Sequence, residues 1–345
     1  MNDPNSADGV PETVRYGRFA AAHRVGRLMA GGVAVVASLL TFPAGIPAMI
    51  AFWIACHCIQ LARGRPGWLP LTTCLVAVLV KRVPWFPTLA LLLAVMALAA
   101  GAGPVSKRCL SAAAQRKLKL GLVAAVWLTW IGFAWDWRRS GQANHSVAAW
   151  DQRPVVCIGD SLTSYPPRRG YPKVLARLVT APVVNLGQPG VTSAEALARL
   201  PELSALEPQA VVIELGGHDY LKDASWLPTD SRAEVKRNLE RFITAARKRG
   251  AEVFLMEIPR GFIVDPYAGL ERELAREHDL ELISDTAIRN LVLWSPACPP
   301  GLWTGGPYLS DDGLHPNAHG DEYLAAVVAQ SLARLYGPQI LQPAQ

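Results

Sequence analysis

The chain has 345 residues, 51% of them hydrophobic and only 18% charged, and its mean hydropathy is +0.19, unusual values for a soluble protein of this length. The net charge of +6 conceals an asymmetry: residues 1–149 carry 15 Lys/Arg against 4 Asp/Glu, and residues 150–345 carry 19 against 24. The basic residues border apolar runs and form no patch interleaved with aromatics, which argues for membrane topology and against a nucleic-acid partner.

Residues 1–27 form a basic N-terminus containing Arg15, Arg18, Arg24 and Arg27, and residues 28–137 read as a transmembrane region. No charge occurs from Leu28 to Ala62, a run of 35 residues. A span takes about 20 residues, so this run is too long for one straight helix. "TFPAGIP" near its middle predicts a tight reversal between two helices, with a single kinked span as the rival. Pro66–Val80 is a shorter apolar run, Val83–Ser106 is uncharged and long enough to span, and Leu120–Trp135 is the last apolar segment. Trp127, Trp130, Trp135 and Trp137 lie toward its end like an interfacial belt. The count is about five helices, with four as the alternative. The Lys/Arg distribution places the N-terminus and a 103–119 loop in the cytoplasm and the C-terminal half outside. No small-residue cleavage site ends the first run, so a removed signal peptide is not expected.

"ACHC" at 55–58 fits no usual zinc spacing and reads as packing within an apolar run. Cys157 and Cys298 are the cysteines of the second half, and their pairing is left open.

Residues 138–152 read as a polar linker, 153–337 as a globular domain and 338–345 as a tail. In the domain, "PVVCIG" (154–159), "PVVNLG" (182–187), "AVVIELGG" (210–217), "EVFLMEIP" (252–259) and "LELIS" (280–284) read as buried strands. "KVLARLV", "SAEALARL", "AEVKRNLERFITAARKRG" and "GLERELAREH" have helical spacing with charges on one face, and a last helix is predicted over 318–336. Alternation of strands and helices predicts an α/β fold with a parallel sheet, with ligands beyond the carboxyl ends of the strands.

The unusual residues fall at those ends. "GDSLTS" puts Ser161 on a strand-to-loop turn without a G-x-S-x-G elbow. "DDGLHPNAHG" holds Asp312 and His315 three residues apart, so a carboxylate can orient an imidazole whose other nitrogen takes a proton from a serine. "ELGGHDYL" places His218 at a strand end beside Asp219. A metal ligand there would need partners, and a general base would duplicate His315. A histidine that only satisfies backbone groups remains open.

Together these segments resemble the GDSL or SGNH hydrolase family over about 153–336, and are most similar to its thioesterase/lysophospholipase branch. "GDSLT" resembles the family's first block, "NLGQPGVTS" its second and "DDGLHPNAHG" its fifth, while "ELGGHDYL" departs from the third by having His218 where the family has Asn. The resemblance implies a flavodoxin-like three-layer fold, Ser161 as nucleophile, His315 as base and Asp312 as orienting carboxylate. It also implies an oxyanion hole of the Ser161 and Gly190 N–H groups and the side chain at 218. No metal or organic cofactor is implied. The substrate would be a small-molecule, lipid or glycan ester or thioester, cleaved through an acyl-enzyme by an enzyme anchored in the lipid bilayer with its domain outside. Tyr220, Leu221, Trp226, Trp303 and Tyr308 are candidates to line an acyl pocket. The alternatives are an O-acyltransferase acting on envelope glycans and a non-catalytic glycan- or lipid-binding envelope protein.

Overall fold

The computed structural model describes residues 45–80, 83–165, 170–222, 231–258, 267–284, 308–312 and 315–343. Four helices come first: α1 (Gly45–Ala62), α2 (Trp68–Val80), α3 (Pro87–Cys109) and α4 (Ala112–Arg139). α1 starts at Gly45, and most of the reversal expected at "TFPAGIP", with residues 28–44 before it, lies outside the described residues. The expected 103–119 loop is corrected: helix runs through it except at 110–111, where Ser111 caps α4 by accepting from the Ala114 N–H. Few residues there break a helix, and the charges that argued for a loop are compatible with helix ends.

The helices pin one another with the few polar groups they have. His57 on α1 bonds the Gly67 carbonyl through Nδ1 at 2.9 Å, Trp130 donates to Pro47 O at 3.0 Å, and Thr88 donates to Asp136 at 2.7 Å. The histidine of "ACHC" is thus a buried packing residue, and Cys56 and Cys58 are free thiols.

The domain begins with β1 (Val155–Gly159), α5 (Tyr171–Leu175), β2 (Val183–Asn185), α6 (Ser193–Ala196) and α7 (Leu200–Ala205). It continues with β3 (Ala210–Glu214), α8 (Gly217–Lys222), α9 (Ser231–Lys248), β4 (Glu252–Met256), α10 (Leu270–Glu277), β5 (Glu281–Ile283) and α11 (Ala318–Tyr336). The five strands are parallel in the order β2-β1-β3-β4-β5, a doubly wound arrangement. Alternate residues feed the two faces. Val156, Ile158, Val211, Ile213, Val253 and Leu255 pack with Leu239, Phe242 and Leu274. Val155, Cys157, Val212, Phe254 and Met256 pack with Tyr171, Leu324, Val328 and Leu332. The result is three layers, helix, sheet and helix.

Two expectations about the surface are corrected. Residues 138–139 of the expected linker belong to α4, and the polar stretch after it packs along the sheet. His145 bridges Glu252 at 2.8 Å and Asp279 at 2.9 Å, and Trp150 packs on Tyr336 with ring centres 4.9 Å apart. Burial alone would lower the His145 pKa, but the bonds to both carboxylates raise it. The charges of α10 are not all on an open face: Glu271 and Arg272 are buried, Arg272 because the end of α4 covers that side of the helix.

Candidate active site

Four segments converge beyond the carboxyl ends of β1 and β3. The first is the turn after β1. Gly159 is required there, since a β-carbon would collide with Thr163 Oγ1 and Glu214 Oε2. Asp160 ties the turn by accepting from the Leu162 N–H at 2.9 Å, and its carbonyl accepts from Ser164 N at 3.0 Å. Half-buried Ser161 sits at the head of this turn.

The second segment hangs from β1 by Leu186 N to Cys157 O at 2.8 Å and Gln188 N to Gly159 O at 3.0 Å. It delivers Gly190 with φ +74°, a left-handed backbone that favours glycine. A β-carbon on Gly190 would lie 3.8 Å from Nε2 of His218, so the imidazole stands directly beside this loop. Among the described residues, neither the Ser161 nor the Gly190 N–H donates to a protein acceptor.

The third segment is α8. His218 lies in its first turn rather than on the strand itself. Its neighbour Asp219 faces α6, accepting from Ser193 N at 2.8 Å and Ser193 Oγ at 2.7 Å, while Asn238 donates to that hydroxyl at 3.1 Å. Asp219 therefore clamps the loop that carries Gly190. The sequence shows no sign of this, because the partner lies 26 residues away.

The fourth segment is closed by a Leu309–Pro316 bridge and by Ser310 N to His315 O at 2.8 Å. Asp312 presents one carboxylate oxygen to the His315 N–H at 2.9 Å and the other to His315 Nδ1 at 2.7 Å. The His315 ring stacks on Tyr165, with centres 3.7 Å apart and planes 8° from parallel. Tyr165, which sequence reasoning missed, belongs to the same turn as Ser161 and so joins the fourth segment to the first. Among the described residues no hydrogen bond links Ser161 Oγ to His315, a looseness usual before substrate is bound.

Of the candidate pocket residues, Tyr308 is half-buried against the core and packs on Tyr323 of α11 with ring centres 5.4 Å apart. Tyr220 and Leu221 fall within α8, while Trp226 and Trp303 lie outside the described residues. Cys157 is a free, buried thiol whose pKa burial pushes up to about 12, and Cys298 lies outside the described residues.

Residues 157–323 match the family described as "GDSL-like Lipase/Acylhydrolase family". An arylesterase of Vibrio mimicus is 27% identical over 203 residues, covering 55% of this chain and 92% of that protein. The thioesterase 1/protease 1/lysophospholipase L1 of Escherichia coli K12 is 28% identical over 159 residues, covering 44% of this chain and 68% of that protein. The crystal structure of TesA superposes with a TM-score of 0.43 at 26% identity, covering 53% of this chain and 99% of that one. Residues 157–323 are thus similar to GDSL-like hydrolases, and the chain is a hydrolase that acts on ester bonds.

Proposed function

We propose that the chain is a membrane-anchored serine esterase that cleaves carboxylic ester or thioester bonds through an acyl-enzyme. Ser161 is the nucleophile, His315 the base and Asp312 the carboxylate that fixes its tautomer. The observation that carries this reading is the 2.7 Å contact of Asp312 with His315 Nδ1 on a ring stacked against the Ser161 turn. With Nδ1 engaged as a donor, Nε2 is the nitrogen available to take the serine proton. Water then releases the acyl group by the same proton transfers in reverse. Labelling of the full chain by a fluorophosphonate tests the reading, and a protein that stays unlabelled at Ser161 would sink it.

The oxyanion is held by the Ser161 and Gly190 N–H groups and by the His218 side chain, which supplies an N–H where the family has an amide. A donor of this kind is worth about 10²–10³ in turnover. We expect His218→Ala to lose that much and His218→Asn to retain most of the activity. An imidazole gains charge in acid and an amide does not, so Asn also removes any acid dependence that the histidine adds. Wild-type turnover in His218→Ala would exclude the donor role.

Anchoring rests on where the apolar surface lies. Among the described residues, the exposed large hydrophobic side chains, from Phe52 to Trp135, all belong to the helical region. α4 is the described helix long and apolar enough to cross a membrane, and only 11% of its most apolar stretch is buried. Ile46–Ala62, Trp68–Leu79 and Pro87–Ala102 are shorter apolar helical stretches. A collar of outward-facing Leu, Ile and Trp on packed helices suits lipid rather than water. We read α1–α4 and the segment before them as a multi-pass anchor with the hydrolase outside the cytoplasm. A C-terminal reporter should be active only outside; activity confined to the cytoplasm would reverse the orientation.

A further inference from the structure

Beneath the Ser161 turn lies a pair of acids that the acyl-transfer steps leave unused. Asp160 follows β1 and Glu214 ends β3, and they are 3% and 0% exposed. Glu214 Oε2 accepts from the Thr163 hydroxyl at 2.9 Å and from the Asp160 N–H at 3.2 Å. Glu214 Oε1 is buried and meets no donor. Asp160 accepts the Leu162 N–H at 2.9 Å on Oδ1, and its Oδ2 lies against Gly217 at the start of α8, 2.8 Å from where a β-carbon would be. A backbone donor thus favours charge on Asp160, while Glu214, whose Oε1 meets no donor, is the member of the pair that keeps a proton. Two buried carboxylates in contact cannot both stay ionised. Burial raises Glu214 well above the usual carboxylate range, and the charge of Asp160 raises it further.

We propose that Glu214 is a positioning residue for ester hydrolysis: as the acid half of an acid–carboxylate pair with Asp160, it locks the nucleophile turn to the helix that carries His218. The proposal rests on the catalytic reading given above for Ser161. Asp160 is the common member, bonded to Leu162 on one side and packed on Gly217 of α8 on the other, and Glu214 ties it to β3. Loss of the Glu214 proton sets two charges against each other under Ser161. A displacement of about 1 Å at a reacting group costs about 10²-fold in rate. The other groups facing the pair do not supply the switch. Tyr171 and Cys157 lie behind Glu214 and are kept neutral, their pKa values raised by burial. His218 is the basic group facing Asp160, and Glu257, just past the neighbouring strand, is held by Arg272.

The test compares wild type, Glu214→Gln and Glu214→Ala as full chains in detergent, measuring kcat/KM on a short activated ester from about pH 5 to 10. Gln imitates the protonated acid, so it should stay within a few-fold of wild type at neutral pH and lose the alkaline decline that wild type shows. Ala should fall by about 10–100-fold across the range. The same alkaline decline in Gln as in wild type, or full activity in Ala, overturns the proposal. So does failure of Gln to fold, since a neutral isostere of the acid form must be tolerated. Thermal midpoints against pH give an independent readout, decisive even if wild type fails to hydrolyse esters or to take up a fluorophosphonate. A raised folded pKa means that the contribution of Glu214 is fully present below its unfolded value and is lost as pH rises through the folded one. The wild-type midpoint should therefore fall relative to Gln as pH rises; parallel midpoints overturn the pair.

Discussion

Ser161→Ala abolishes fluorophosphonate labelling and lowers turnover of a short activated ester by about 10⁴–10⁶-fold. The size follows from how the site is built. A serine hydroxyl is a poor nucleophile until a base takes its proton, and the base here is useful only while Asp312 holds Nδ1 at 2.7 Å. His315→Ala should therefore cost about as much as Ser161→Ala, and the double variant no more than either, because the members act as a unit. Asp312→Asn should lose up to about 10⁴-fold, since an amide can present its N–H to Nδ1 and favour the wrong tautomer. What remains is the contribution of the oxyanion donors and of binding. Wild-type turnover in Ser161→Ala would rule out the acyl-enzyme.

Much of this site is written in short segments, which is why it can be read from sequence. Asp312 and His315 are three residues apart, so one loop fixes their geometry without help from the rest of the fold. The strands are legible for a similar reason. A strand buried on both faces needs a largely apolar run; β1 is apolar throughout, and β3 and β4 are apolar except for a glutamate at one end. The span 318–336 is legible as a helix because Asn317 caps it and apolar residues recur along one side. Long-range partners leave no such trace. Glu214 reads as one polar residue within "VVIEL", and its relation to Asp160 exists only because β1 and β3 are neighbours. Tyr165 gives no sign of stacking on His315, 150 residues further along the chain. Arg272 reads as solvated because it sits in "ERELAREH" among alternating charges. Its burial depends on the end of α4, a separate part of the chain.

Arg272→Met should lower the stability of the hydrolase domain by about 3–5 kcal/mol, the usual cost of stranding one partner of a buried ion pair. Arg272 is 2% exposed, and all its bonds are directed inward. Nε and Nη2 form a fork on Glu257 at 3.1 and 3.0 Å, and Nη1 donates to Trp137 O and Ser140 Oγ, both at 2.9 Å. The guanidinium also lies 4.1 Å over the Trp137 ring. The donors thus join β4 to the C-terminal end of α4, whose last carbonyls have no partner within the helix. Removing the cation leaves Glu257 charged and buried and opens the Trp137 and Ser140 bonds together. For a domain of this size the loss corresponds to about 10 °C in the thermal midpoint of the purified full chain. Glu257→Met should cost a similar amount. The double variant Arg272→Met/Glu257→Met should recover a large part, because no buried charge is left without its counter-ion. Single variants that unfold within about 1 °C of wild type would show that the pair contributes nothing. Double-variant losses equal to the sum of the singles would show that Arg272 and Glu257 act separately, and that α4 is held to the hydrolase by Trp137 and its aromatic neighbours instead.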